Sequence, residues 1–456
     1  MIRSSKSKLL MRKTVLLKIF IVLFLFSSCG GRNGQSEKNS SISESEGKAP
    51  EITPETPLDA AVKIYFENTL SMDGYMNGNT DFKDVFRELL VAVDNEDRID
   101  LKTEFYLVNN ELTREDFGVE NIKISERLSP HSTANKGNKG SSNFEEILNT
   151  VLQNQEGDVV SVIMADFIYS PDGQQNTPSA LNKLKTYTQD AFLKATSKQN
   201  DLETRIYHFT SDFEGTYYDF NNKHIRGVKN RPYYYFVIAP ASLMNVFESN
   251  IASQLKRNET FKNEAFFSTE QYNAQLSLEI LSSTANNGRI KVKDKNILIH
   301  DYPRQGNLEF TVLVNLENLP LSDEFITNPS NYQLNNSEFK IKNIGLTRDR
   351  DIVFDANNSV KISGADFIPI KDATFTHAFQ FAAEGMVSEN LHFALKKKIP
   401  AWVSNNHSAD DRNIQSDSLE QSKTFGFGHL VEGVSNAFIQ KGNNDNYFDI
   451  QIPVKK

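Results

Sequence analysis

The hydrophobic pattern changes character along this 456-residue chain. From about residue 60 to 250, short continuous apolar runs alternate with amphipathic stretches. The runs at 62–66, 103–108, 159–165, 206–210 and 233–239 predict strands buried on both faces. Between them, Phe82, Val85, Phe86, Leu89, Leu90 and Val93 trace one helical stripe, and Phe144, Ile147, Leu148, Val151 and Leu152 trace a second. Ser142 and Glu145 have the spacing of a capping box for the second. Two more helices are predicted over 180–195 and 241–255. Strand–helix alternation of this kind predicts an α/β fold, a doubly wound and mostly parallel sheet with helices on both faces, because parallel strands need crossover connections.

After about residue 300 the period becomes two. Leu308, Phe310, Val312, Val314 and Leu316 recur at alternate positions, as do Phe375, His377, Phe379 and Phe381, then Leu391, Phe393 and Leu395, then Phe448, Ile450, Ile452 and Val454. Strands with one buried face are expected, most simply an antiparallel β-sandwich. A helical stripe of Leu430, Val431, Val434 and Phe438 lies between the last two groups, after a polar segment that includes "ADDRNIQSD". That segment lacks the spaced pattern of a calcium loop and reads as a solvated loop. The stretch 256–300 carries no assignable pattern. The expected organisation is therefore an α/β domain over 58–255 and a β-rich domain over 256–456.

The first residues belong to neither pattern. "MIRSSKSKLLMRKTVLLKIFIVLFLFSSCGG" has a basic start, an apolar run and small residues before Cys29, the only cysteine in the chain. Residues 1–28 read as a secretory signal, and "LFSSC" resembles the lipobox of bacterial lipoproteins, which implies a lipid-anchored Cys29. Residues 29–57 are polar and end in prolines, the composition of a disordered tether. The glycine after Cys29 favours the outer membrane of a cell envelope in the usual bacterial sorting rule. Removing residues 1–28 removes six Lys/Arg and no Asp/Glu, so 44 basic residues face 59 acidic ones and the net charge becomes −15. A chain this acidic, without a basic run interleaved with aromatics, is no partner for nucleic acid.

Side-chain oxygens cluster where three of the predicted strands and helices meet loops. The stretch "VKIYFENTLSMDGYMNG" ends its apolar run at Glu67 and continues with Thr69, Ser71 and Asp73; "GSSNFEEIL" places Ser142 before a helix; "VSVIMADFIYS" closes the most apolar strand with Asp166. In open α/β sheets, ligands bind beyond the carboxyl ends of the strands. In order and placement these positions resemble the metal-ion-dependent adhesion site of von Willebrand factor A-type domains, which has Asp-x-Ser-x-Ser after the first strand, Thr before a later helix and Asp ending the fourth strand. The matching positions are Glu67, Thr69 and Ser71, then Ser142, then Asp166, with Glu67 in place of Asp and Ser142 in place of Thr. The resemblance covers about 60–250 and implies a Mg²⁺ site, with Mn²⁺ or Ca²⁺ as alternatives, one of whose positions an acidic partner group would fill.

The tyrosines of "GTYYDF" and "RPYYYFVIAP" read as strand with alternate rings in the core. The chain has no Gly-x-Ser-x-Gly elbow, no phosphate-binding loop and no helical His pair, so no catalytic residue is assigned. The chain as a whole resembles cell-envelope lipoproteins of the Bacteroidota. The expected function is recognition, or adhesion, by a lipid-anchored envelope protein that binds a protein or other envelope ligand through the ion-bearing face and is not an enzyme. The competing readings are a metal-dependent hydrolase that uses the same oxygens and a metal-free scaffold.

Overall fold

The computed structural model describes residues 58–455, apart from 97–98, 141–143, 171–176, 336 and 372. The signal segment, the tether, Cys29 and Ser142 lie outside the described residues. Among the described residues no helix is long and apolar enough to cross a membrane. The described residues belong to one compact unit.

Its first sheet is built from the predicted apolar runs. The strands are β1 (Leu58–Glu67), β2 (Ile99–Val108), β3 (Leu112–Glu115), β4 (Val159–Ala165), β5 (Leu202–Ser211), β6 (Arg231–Pro240) and β7 (Phe261–Ser268), in the spatial order β3-β2-β1-β4-β6-β5-β7. Helices α1 (Asp81–Asp94), α2 (Phe144–Gln153) and α3 (Thr177–Lys198) follow the predicted stripes. A further helical run from Ala241 to Leu255 contains one π turn, Phe247–Ala252. The first helix and the 241–255 run cover one face of the sheet, while α2 and α3 cover the other.

The sheet is mixed rather than mostly parallel, which corrects the doubly wound expectation. Only β1 with β2 and β1 with β4 run parallel; β2–β3, β4–β6, β6–β5 and β5–β7 are antiparallel. The reason lies in the link from β5 to β6. It holds a small hairpin, Thr216–Tyr218 against His224–Arg226, where a parallel connection would need a crossover helix. The chain therefore turns straight back, and β6 inserts between β4 and β5. All ten of its residues are buried, so its tyrosines face the core on both sides of the sheet.

The remainder is β-rich. A six-stranded antiparallel sheet runs in the order Ser277–Leu281, Leu308–Asn315, His377–Ala383, Phe339–Arg348, Asp351–Asp355, Asn358–Lys361. A three-stranded antiparallel sheet of Tyr332–Leu334, Leu391–Lys396 and Asn446–Ile452 shares its core, with Phe393 packed against Phe379 and Phe381 at ring separations of 5.3 and 5.0 Å. The unassigned stretch 256–300 holds β7, the first strand of the six-stranded sheet and a hairpin whose turn residues Asp294 and Lys295 both have positive φ, as a two-residue turn of the I′ kind requires.

Two elements past residue 255 join the α/β layers. One is β7, whose Phe267 faces the α/β core while Phe266 faces the β-rich core. The other is helix α4 (Phe427–Gly442), which lies along α3. Gly433 permits that approach: a Cβ there would stand 2.6 Å from the Lys185 carbonyl oxygen and 2.7 Å from the Thr188 Cβ. Gly433→Ala is expected to push the two helices apart and cost about 1–3 kcal/mol, read as a lower thermal midpoint. The control Gly364→Ala, where a Cβ meets open space, should leave the midpoint unchanged.

Candidate functional site

The carboxyl end of β1 stops at Glu67, which is fully buried, and register places it beside Val108 at the end of β2. Buried asparagines organise the loops beyond this rim. Asn68 Nδ2 donates to the Thr133 and Lys136 carbonyls at 3.2 and 2.7 Å. Asn109 Nδ2 donates to the Asn68 and Lys136 carbonyls at 3.3 and 2.9 Å, and the Leu70 amide donates to the Lys139 carbonyl at 2.9 Å. These bonds seat the loop that precedes α2 against the loop that follows β1. On its other side the β1 loop meets the 213–215 turn at a glycine crossing, since a Cβ on Gly215 would lie 2.5 Å from the Gly74 Cα.

Within this frame Thr69 Oγ1 and Ser71 Oγ stand 3.0 Å apart, both buried. Ser71 also lies against the Asp166 carboxyl and favours its charged form. Asp166 follows the last residue of β4 and has no solvent exposure. Its Oδ1 accepts from the Ile168 amide at 3.1 Å, whereas Oδ2 has no hydrogen-bond partner among the described residues. Burial pushes this carboxyl above the ordinary aspartate range, against the pull of the Ile168 amide, the Ser71 hydroxyl and the Arg231 guanidinium. The residue after it, Phe167, sits at φ 53, a left-handed conformation that costs a non-glycine residue about 1 kcal/mol. Its ring offsets that cost by stacking on Phe144 at 5.1 Å and packing on Phe236 at 4.3 Å.

Three of the five predicted metal residues, Thr69, Ser71 and Asp166, thus come together. Glu67 closes the adjoining strand, and Ser142 lies outside the described residues, two positions past Gly140 on the pocket wall. Asp73, the fourth oxygen of the opening motif, is committed elsewhere: it pairs with the Lys139 ammonium, which also donates to Thr133 Oγ1 at 3.1 Å. A pocket of about 180 Å³ opens over Thr69 and Ser71, walled by Leu70, Lys139, Ile168, Tyr218, Asn222 and His224. The wall formed by Tyr218, Asn222 and His224 is the hairpin between β5 and β6, whose first strand falls within "GTYYDF" and, as read from the sequence, buries the Tyr217 ring while leaving Tyr218 half-exposed.

No family model and no curated protein matches the chain.

Neighbouring ligands of a near-octahedral ion at about 2.1 Å lie about 3.0 Å apart, which is the Thr69–Ser71 spacing. An unpartnered carboxylate oxygen beside them is the anionic ligand such an ion needs. The residues fit the ion. Among the described residues no group of three His, Cys, Asp or Glu side chains could hold a metal, so a soft, zinc-like cage has no counterpart there.

Sequence reasoning missed Arg231, the first residue of β6. Because β6 runs antiparallel to β4, with Ala165 opposite Tyr234, the start of β6 reaches the same rim as Asp166. It also passed over the burial within "ADDRNIQSD". Asp411 and Ile414 are buried there, and Asp411 accepts from the Tyr217 hydroxyl at 2.6 Å and the Phe220 amide at 2.9 Å. The segment is pinned to the hairpin that walls the pocket, which corrects its reading as a simple solvated loop.

A second cleft, about 880 Å³, lies at the opposite rim, where β5 begins. Arg205 and Lys256 are each shared by Glu248 and Glu264 there. Glu203 is buried beside them with the Tyr272 hydroxyl at 3.3 Å, and burial raises its pKa to about 7 despite the attraction of Arg205. The folded state therefore binds this proton more tightly than the unfolded chain. Stability attributable to the group falls as pH rises from about 4.5 through 7, and the penalty is complete above that window. Glu203→Gln is expected to raise the thermal midpoint at pH 8, by roughly 1–3 kcal/mol of stability, and to change it little at pH 5. Thermal melts of both proteins at the two pH values check this.

Proposed function

We propose that this chain is a lipid-anchored recognition protein of the cell envelope, held at the outer membrane through Cys29, with a von Willebrand A-like α/β region whose rim binds a divalent cation and, through it, a protein or other envelope ligand. The observation that carries the reading is the meeting of Thr69 Oγ1, Ser71 Oγ and the unpartnered Asp166 Oδ2 at one rim, from loops nearly a hundred residues apart. Thr69 and Ser71 would hold the ion through their hydroxyls. Asp166 would supply the negative charge, and Glu67 and Ser142 would complete or brace the set. A bound ion supplies Lewis acidity toward an anionic ligand group, and the 180 Å³ pocket above the hydroxyls leaves room for one. The chain's own part is to orient that group. Lys139 and His224 stand on the pocket wall as donors, and Leu70, 38% exposed, offers the rim an apolar contact. Of the von Willebrand A-type pattern, the order of motif positions is what supports the family reading; the insertion of β6 between β4 and β5 is a feature of this chain.

Calorimetric titration of the full-length chain with Mg²⁺, Mn²⁺ and Ca²⁺ tests the reading. Saturable heat is expected, with a stabilisation of about 2.7 kcal/mol when the ion is a hundredfold above its Kd, reversed by chelator. Asp166→Asn should abolish the heat, because it removes the anionic ligand. Absence of heat and of thermal stabilisation with all three ions would overturn the reading and leave the scaffold. Ion-dependent turnover of simple esters or phosphoesters would replace recognition by hydrolysis.

A further inference from the structure

Arg231 is fully buried, yet its guanidinium is only partly satisfied. Nη1 donates to the Gln421 carbonyl at 2.5 Å, and the cation lies 4.8 Å from the centre of the Tyr217 ring. Nε and Nη2 have no hydrogen-bond partner among the described residues. The carboxylate whose charge acts on it is that of Asp166, which itself carries an unpartnered oxygen. A guanidinium and a carboxylate removed from water at one rim stabilise each other's charged forms, and neither is tolerated alone.

The arginine is also held from outside the sheet. Besides the Gln421 carbonyl, the Gln421 side chain accepts from the Lys229 amide at 3.3 Å, and Thr424 meets the Tyr234 hydroxyl at 3.2 Å. Tyr217, the ring under the guanidinium, is tied to Asp411. One segment of the chain, from about 408 to 425, therefore fixes both the cation and the ring beneath it.

We propose that Arg231 is the built-in counter-charge of Asp166 and sets the affinity of the cation site, so that an entering divalent ion competes with the guanidinium and the 408–425 segment, by holding the arginine, governs that competition. The proposal rests on the cation-binding reading given above. Its consequence is a site that stays folded without the ion and fills only when the ion is abundant. Arg231 acts here as a positioning residue, through Asp166 rather than on any ligand.

The test is calorimetric titration of Mg²⁺ into full-length wild type, Arg231→Met and Asp166→Asn. Arg231→Met is expected to bind Mg²⁺ tighter by roughly tenfold or more, since a buried like charge at the same rim has been removed. Its ion-free form should melt lower than wild type, and saturating Mg²⁺ should recover most of the loss. A purely structural arginine would behave in the opposite way, because a loosened rim binds more weakly. Unchanged or weaker binding by Arg231→Met, with wild-type binding intact, overturns this proposal and leaves the cation site standing. No binding by either protein overturns both. Should Arg231→Met fail to fold, wild type carrying isotope-labelled arginine decides: the Arg231 Nε–H resonance should move with the same Kd as the calorimetric heat, and a resonance that stays put while heat is released overturns the proposal.

Discussion

The architecture depends on burying β6 completely. A ten-residue strand with three consecutive tyrosines, none of them exposed, needs apolar cover on both faces and hydrogen-bonding neighbours on both edges. Its edges are met by β4 and β5. On one face Tyr233 and Tyr235 pack with Phe82, Phe209 and the helices of the α/β half. On the other, Tyr234 stacks at 4.0 Å on Phe427, the first residue of a helix almost two hundred positions further along the chain. The C-terminal part is thus built into the α/β layers. It supplies α4, Phe427 and Trp402 to the core of the α/β layers, while β7 gives one face to each core.

That same strand determines what the rim can contain. An antiparallel strand delivers its beginning, where a parallel one would deliver its end, to the place where ligands gather in α/β sheets. Here the beginning is Arg231, so a buried positive charge arrives at the same rim as a buried Asp166. Two charges brought together in a low-dielectric setting interact more strongly than any surface pair, and their geometry is fixed by ladder register rather than by flexible loops. The left-handed Phe167 belongs to the same logic. Its φ is held by ring packing on Phe144 and Phe236, and the turn it makes aims the Ile168 amide at Asp166 Oδ1.

Local pattern carried the elements far better than their arrangement. The apolar runs at 62–66, 159–165 and 206–210 and the stripes at Phe82–Val93 and Phe144–Leu152 each fall inside an observed strand or helix, because continuous burial and a 3.6-residue period leave direct marks on composition. A continuous apolar run carries no direction, however, so the antiparallel course of β6 was invisible in "YYYFVIA" itself. The usable signal was the link 212–230, too short of helical periodicity to make a crossover. β7 escaped because "FKNEAFFS" divides its phenylalanines between two cores and so shows neither clean alternation nor a solid run. At the site, the hydroxyl and carboxyl positions were legible from their place after strands. Arg231 was not, since the apolar run that marks the strand begins only at 233, and neither were Asn68 and Asn109, whose importance lies in the backbone carbonyls they reach.

The chemistry of the rim also accounts for its preference for hydroxyls over carboxylates. A cage made only of carboxylates repels itself until its ion arrives, and a buried one would oppose folding. Hydroxyls avoid this. Each can donate or accept, so Thr69 and Ser71 bond to one another at 3.0 Å, and on the proposed reading their lone pairs would serve a cation. The opposite rim solves its own excess of acid by different means. There Arg205 and Lys256 are divided between Glu248 and Glu264, and Glu203 escapes full ionisation by holding its proton to about pH 7. At the Asp166 rim the carboxylate leans on the Ile168 amide, a serine hydroxyl and Arg231, which still leaves one of its oxygens without a bond among the described residues.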